Sequence, residues 1–450
     1  TEVDVEYPAY LQRSTKTTWG NERLPYRNGM RLPQGTQVGL WVRANRPIKK
    51  CDVMQSVGSG REDSNREFSV ELKSPATEFA IPATFLQGNL FVELRLWDDQ
   101  GICATRVQQF VIAALTDNAP NIDFVLDGIG SAITEEAVLP IRSTIKDDHD
   151  LNRAWVESRV DEQETIQSEL GVDAQGKGDM DIDLKAMRES GKAVPAVGST
   201  YSLMVAASDF YDIPLEPGGT AEPHLGRSTP IQLKVVTTDQ FLILLDRREA
   251  AMRRRLEQII SELGQLGELL VLTKKNNEAP EEPSAEGSSS ETGAQRRARV
   301  MLLRSQQASA QAAKSDGELK GVLQEISQLV AELINNRIDS KDRRDRLNAK
   351  IKLPLGELLE SQWKPFVTGL NELEGVVSQS SVEEFSSRLE RSLLKNNEIV
   401  AALKSILGDM IEIQDLNEII DRVRGLLDEQ SKAVDRSKQE QKKLNLDSLK

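Results

Sequence analysis

The stretch 241-FLILLDRREAAMRRRLEQIISELGQLGELLVL-272 divides the chain into two kinds of sequence. Leu245, Met252, Leu256, Ile259, Leu263, Leu266 and Leu270 recur at intervals of three and four, and only Glu249 interrupts them. That spacing is the seam of a coiled coil. Asp239 is a suitable N-cap for the run. Before it, apolar residues alternate at period two and read as strands; after it, they keep helical spacing. The chain therefore reads as β first and α second.

Working back from the seam, Val38, Leu40, Val42 and Ala44 alternate with Gln37, Trp41 and Arg43, the pattern of a half-buried strand. The turn Leu32-Pro33-Gln34-Gly35 fixes its start. Further runs lie at Lys50–Val57, Phe68–Leu72, Glu78–Ile81, Leu90–Trp97 and Ala104–Ile112. About seven short strands in about 110 residues predict an antiparallel sandwich. The same grammar then repeats. Leu139, Ile141, Ser143 and Ile145 stand where Val38, Leu40, Val42 and Ala44 stood, and Tyr201, Leu203, Val205 and Ala207 answer Leu90, Val92, Leu94 and Leu96. Both of the later strands run into an acidic turn, at Asp98 and Asp209. Two tandem sandwiches are expected, residues 1–116 and 117–238.

Working forward, residues 239–273 form the first helix, and 274–293, with Pro280, Pro283, Gly287 and a Ser288-Ser289-Ser290 run, form a flexible acidic linker. Residues 294–450 are expected to be a helical bundle. One helix runs to Lys352 with Ser305, Ala308, Ala312, Ser315, Leu319, Val322, Ile326, Leu329 and Leu333 on its seam. Another begins at Pro354, kinks at Pro365 and packs Trp363 and Phe366 in the core. The last starts at a Ser380/Glu383 capping box. Its seam runs Leu389, Leu393, Asn396, Val400, Leu403, Leu407 and Met410, then shifts phase towards Val423, Leu427 and Val434. Helices of the same chain or of another chain could complete these seams equally well, so self-association and a protein partner both remain open.

A formal charge of -14 over 450 residues speaks against nucleic acid as a partner, because a phosphate backbone needs concentrated basic surface. No apolar run reaches the eighteen or so residues that span a bilayer. The chain reads as the soluble piece of a longer protein whose membrane anchor lies outside it. Cys51 and Cys103 both fall in the strand-rich part, either as a disulfide, which would indicate an oxidising compartment, or as two separate core thiols. His149 and His224 are the only histidines, in an acidic and a Pro-rich loop respectively. No zinc spacing, phosphate loop or nucleophile elbow accompanies them, so the chain reads as no enzyme.

Two resemblances add to this. The linker Thr116-Asp117-Asn118-Ala119-Pro120, the turn Asp147-Asp148-His149-Asp150-Leu151-Asn152 and the Ala206-Ala207-Ser208-Asp209 strand end resemble cadherin-type and related bacterial Ig-like repeats. That resemblance implies an Ig-like fold for both sandwiches, and a Ca2+ ion held by some of Asp98, Asp117, Asn118, Asp147, Asp148, Asp150 and Asp209, since a hard cation needs converging oxygens. The other reading of these aspartates is a capped, solvated turn. The order of Tyr7-Pro8, Leu32-Pro33-Gln34-Gly35-Thr36, Asp147-Asp148-His149-Asp150-Leu151, the Tyr201 strand and Leu244-Leu245-Asp246-Arg247-Arg248-Glu249 resembles envelope proteins of planctomycete-type bacteria. It implies a periplasmic or envelope setting. The function class expected is a structural or interaction protein, with a calcium-rigidified adhesion or ligand-sensing ectodomain as the alternative.

Overall fold

The computed structural model describes residues 1–12, 20–58, 64–214, 220–278, 293–338, 341–379 and 382–447. They form two compact units. The first comprises Thr1–Leu126, Pro140–Ile182 and Ser199–Leu233; the second comprises Asp127–Leu139, Asp183–Gly198 and the chain from Lys234 onward.

The first unit opens with β1 (Glu2–Glu6), the single turn α1 (Ala9–Gln12), β2 (Glu22–Pro25) and β3 (Met30–Pro33). Then come β4 (Gln37–Gly58), β5 (Ser64–Phe85), β6 (Asn89–Asp98) and β7 (Gln108–Leu115). Hydrogen bonds join them into one seven-stranded sheet, ordered β2-β1-β4-β6-β7-β3, with β5 on the other edge of β4. The four runs expected between residues 36 and 81 are fused into two strands of 22 residues each. Register shifts between Arg43 and Lys50 explain the fusion, because a bulge bends a strand without ending its ladder. Ahead of the bend β4 pairs with β1, and beyond it with β6. The two halves consequently cover one core: Val3, Val5, Val38, Leu40 and Val42 from one, Cys51, Val53, Leu90, Val92, Leu94 and Ile112 from the other. Each such side chain contributes roughly 1.5–3 kcal/mol on burial.

The chain continues through β8 (Asn121–Leu126), β9 (Ala132–Ile133), β10 (Val138–Lys146), β11 (Leu151–Val160), β12 (Ile166–Glu169) and β13 (Lys177–Asp183). Helix α2 (Leu184–Glu189), β14 (Thr200–Asp209), β15 (Leu225–Arg227) and β16 (Ile231–Val235) follow. One sheet is ordered β13-β10-β8; in the other, β11 lies between β12 and β14, and β15 pairs with β14. Leu139, Ile141, Ser143 and Ile145 are buried together along β10, as their alternation predicts. Ser143 is satisfied there, its hydroxyl donating to the Gly178 carbonyl at 2.9 Å.

In the second unit, α3 (Thr238–Glu278) is capped by Thr237 rather than Asp239. The Gln240 amide N–H donates to the Thr237 hydroxyl and the Thr237 N–H to the Gln240 side chain, a reciprocal capping box. Helix α3 extends five residues past its expected end at 273; the rest of the expected linker, 279–292, lies outside the described residues, as does Ser380 of the expected cap. Helix α4 (Gly293–Asn335) stops well before Lys352 because Arg337 takes a left-handed conformation with φ 52°.

After it come α5 (Lys341–Arg346), a π-helical turn (Leu347–Lys352), α6 (Leu353–Leu358), a second π-helical turn (Leu359–Trp363), α7 (Lys364–Gln379) and α8 (Val382–Asp447). Pro354 stands in the first turn of α6, as expected, although the backbone enters that segment from the preceding π turn without leaving helical conformation. Each proline, 354 and 365, directly follows the start of a segment bordering a π turn, where the wider i→i−5 bonding absorbs the missing N–H.

Helix α3 packs on α4 and α8, α4 on α7, and α7 on α8, so four helices close a ring around one core. Every residue placed on the α3 seam is buried in it, as are Ala308, Ala312, Leu319, Val322, Ile326, Leu329 and Leu333 of α4. Asn396 is buried on α8 and donates to the Leu263 carbonyl of α3 at 3.1 Å, against the small face of Gly267. Glu249, the break in the seam, is buried with Arg343 at 2.6 Å, and Asp246 meets the same guanidinium at 2.5 Å. The strand-derived segments of this unit are tied in by polar contacts. Asn336 accepts from the Thr134 N–H and also accepts from its hydroxyl, both at 2.8 Å, and Arg337 forks onto Asp183 at 2.9 and 2.6 Å. Among the described residues no helix is long and apolar enough to cross a membrane.

Candidate functional site

The site grows from the linker between β7 and β8. Asp117, on this linker, has a side chain only 1% exposed, and neither carboxylate oxygen has a hydrogen-bond partner. What each oxygen faces instead is an imidazole: Oδ1 lies 3.5 Å from Nε2 of His149, and Oδ2 lies 3.3 Å from Nδ1 of His224. The two histidines arrive from far apart in sequence because β11 and β14 pair along their whole length. That pairing brings the turn before β11, with Asp148 and His149, beside the end of β14, with Asp209. His224 comes from the approach to β15, the next strand on β14.

Two three-residue sets result, Asp117 with Asp209 and His224, and Asp117 with Asp148 and His149, the donor atoms of each within 4.8 Å of one another. Backbone and aromatic contacts hold them in place. Asp209 Oδ1 accepts from the N–H groups of Tyr211 and His224 at 3.0 and 2.9 Å, which leaves Oδ2 facing His224 Nδ1 at 3.0 Å. The His224 ring stacks on Tyr211 with centroids 4.0 Å apart, and His149 meets the edge of Tyr10 at 5.7 Å. Asp148 accepts from the backbone and side-chain N–H of Asn118 at 3.4 and 3.1 Å.

The electrostatics are lopsided. Burial pushes the Asp117 carboxyl up to about 8, and the nearby carboxylates of Asp148, Asp209 and Asp147 push in the same direction. Among the described residues no lysine or arginine reaches Asp117, Asp148 or Asp209 as an ion pair.

This place is also where the two sandwiches of the first unit meet. Tyr211 and Ile213, just past β14, are 4% exposed and belong to the core of the first sheet. Gly35, at φ +87°, makes room for Ile213: a Cβ there would lie 1.8 Å from its Cδ1. Gly226 of β15 does the same for the linker, since a Cβ would lie 2.0 Å from the Pro120 carbonyl.

Of the residues expected to hold calcium, Asp117, Asp148 and Asp209 converge. Asn118 turns an N–H donor, not its carbonyl, towards Asp148. Asp147 and Asp150 lie on the same turn, where Asp147 accepts from the His149 N–H at 3.2 Å. Asp98 is elsewhere, closing its own turn through the N–H groups of Gln100 and Ile102. Of the two readings of Cys51 and Cys103, separate thiols are what the structure has: both are free, Cys51 buried in the sheet core and Cys103 exposed rather than in a core. Sequence spacing missed His149 and His224. The signal available was that the only two histidines both lie close to the acidic motifs.

No family model matches the chain, and no curated protein matches it. Among solved structures, the chain is similar to a 1.5-MDa bacterial ice-binding adhesin, at 8% identity over 45% of this chain and 58% of that one, TM-score 0.27. It is similar to the fibronectin(III)-like modules of Clostridium thermocellum CbhA, at 15% identity over 47% of this chain and 90% of theirs, TM-score 0.16. A Corynebacterium diphtheriae protein described as membrane anchored shares 11% identity over 52% of this chain and 57% of that one, TM-score 0.22. The chain thus spans less than two thirds of the first and third of these. The functional argument rests on the chain's own geometry.

Proposed function

We propose that the chain is a non-enzymatic structural and interaction protein of a bacterial envelope, in which paired sandwiches form a stiff spacer or binding arm and the helical unit assembles with itself or a protein partner. The observation that carries the reading is the junction of the sandwiches. Tyr211 and Ile213 of one sandwich sit in the core of the other, so the pair behaves as one body instead of two beads on a string. Stiffness of this kind suits an arm that sets a distance or presents a face. The envelope setting is what the resemblance of the motif order to bacterial envelope proteins implies.

The assembly half of the reading is supported by α8. Phe385, Leu389, Ile399, Leu403, Ile406 and Met410 of this helix are buried in the bundle, whereas Val423, Leu427 and Val434 are 50%, 59% and 46% exposed at spacings of four and seven. A helix face of that pattern fits helix-to-helix pairing. Sedimentation of the full chain tests it. Self-association that disappears in Val423→Glu/Leu427→Glu is expected; a wild-type chain that stays monomeric up to its solubility limit, and captures no helical partner, would remove the assembly role.

A further inference from the structure

We infer that the sandwich junction is a divalent transition-metal centre, built on Asp117 and completed by His224 with Asp209 on one side and His149 with Asp148 on the other. The inference goes beyond the assembly role and stands independently of it.

Three features of the donor set lead there. Among the described residues, a carboxylate as deeply buried as Asp117, with no hydrogen bond on either oxygen and no lysine or arginine paired with it, lacks the compensation that folded proteins give buried charge. A cation in front of it supplies that compensation. Next, the spacing is right: an ion with bonds of about 2.0–2.1 Å holds tetrahedral ligands about 3.3–3.4 Å apart. In the His224 set the imidazole stands 3.3 Å from Asp117 and 3.0 Å from Asp209, in the His149 set the imidazole stands 3.5 Å from Asp117, and all donors of each set lie within 4.8 Å of one another, close enough for side-chain adjustment to bring a set onto one ion. Last, the donors are mixed. Each set offers one imidazole nitrogen with two carboxylate oxygens, a mixed donor set that suits zinc, manganese, iron or nickel, whereas calcium asks for six to eight oxygens. The residues present do not fit the calcium cage that cadherin-type resemblance implies, because Asp98 is elsewhere and Asn118 offers an N–H.

The surroundings are those of positioned ligands. Asp209 has one oxygen fixed by two backbone N–H groups, which turns the other onto His224 Nδ1 at 3.0 Å. Each histidine ring lies against a tyrosine, Tyr211 for His224 and Tyr10 for His149. Such outer contacts orient metal ligands and raise affinity. Because Tyr211 is seated in the first sandwich's core while His224 and Asp209 belong to the second, a bound ion would lock the junction.

The test uses the full chain, stripped with EDTA and titrated separately with ZnCl2 and CaCl2, read by calorimetry and by thermal melting. Zinc should bind at micromolar concentration or below, with at least one equivalent per chain, and should raise the melting temperature; calcium should do neither. Asp117→Asn should abolish zinc binding. The double variant His149→Ala/His224→Ala keeps every carboxylate and should weaken zinc about 100-fold or more. Zinc binding that survives the double variant, calcium stabilising as well as zinc, or no binding of either would overturn the inference. Co2+ added to the unaltered chain gives a check free of mutation: visible absorption bands that zinc abolishes are expected, and their absence would count against the site.

Discussion

In the helical unit Arg343, itself 5% exposed, lies between Asp246 and Glu249 at 2.5 and 2.6 Å. At the sandwich junction Asp117, 1% exposed, has three other aspartates close by and two histidine rings, but among the described residues no lysine or arginine paired with it. Both clusters bury carboxylate. One brings its cation with it, from a helix about a hundred residues further along the chain; the other leaves the place of the cation to an ion from solution. The difference teaches that a buried acid is informative through what faces it. Glu249 is an ordinary structural ion pair, although burial raises its carboxyl, because Arg343 acts in the opposite direction. Among the described residues Asp117 has no such opponent.

The comparison can be broken most forcefully from the helical side. Arg343→Met strands Glu249 in the core and should cost about 3–5 kcal/mol, while Arg343→Met/Glu249→Leu should regain most of it. Chemical denaturation of both variants measures this; equal losses would mean that the pair is not what fills the break in the seam. At the junction the largest expected steric effect comes from Gly35→Val. It sets a side chain on a left-handed backbone and against Ile213, at a cost of about 2–3 kcal/mol. Hydrogen exchange should show the 115–120 linker opening in that variant.

Asp117→Asn should have the opposite sign to Arg343→Met. In EDTA it should leave the chain equally stable or about 1 kcal/mol more stable, since it removes an uncompensated buried acid. The pH dependence follows the same logic. The Asp117 carboxyl is raised from its ordinary 3.8 to about 8, so the folded chain binds the extra proton between those values. Its contribution is present in full below pH about 4 and is lost as pH rises through about 8. The melting temperature of the stripped chain should therefore fall across that window, and should fall less in Asp117→Asn. Smallest of all, Asn396→Leu should cost about 1 kcal/mol by leaving the Leu263 carbonyl without its donor. Lys314→Ala, which breaks an exposed pair with Glu262, should leave stability essentially unchanged, because solvent screens such a pair.

Much of the architecture could be read from pattern alone. Val38, Leu40 and Val42 face the core as their alternation requires, and the α3 seam is buried at every position assigned to it. What escaped was long-range. The fusion of short strands into β4 and β5 depends on bulges between Arg43 and Lys50, which have no dependable local signature. Glu249 looked like a defect because its partner is 94 residues away. Asp98 and Asp209 looked alike, each closing a strand, yet Asp98 sits at a hairpin tip and bonds to its own turn, whereas Asp209 faces the linker and His224. His149 and His224, 75 residues apart in the sequence, reach Asp117 through the pairing of β11 with β14 and of β14 with β15. Ligands gathered by sheet register cannot be found by spacing.

X-ray absorption at the zinc edge of the zinc-loaded full chain tests the central claim most directly. The account predicts a nitrogen and oxygen shell at about 2.0–2.1 Å with the scattering signature of imidazole, lost in His149→Ala/His224→Ala. A shell without imidazole, or zinc washed away by the same EDTA-free buffer that leaves the fold intact, would contradict it.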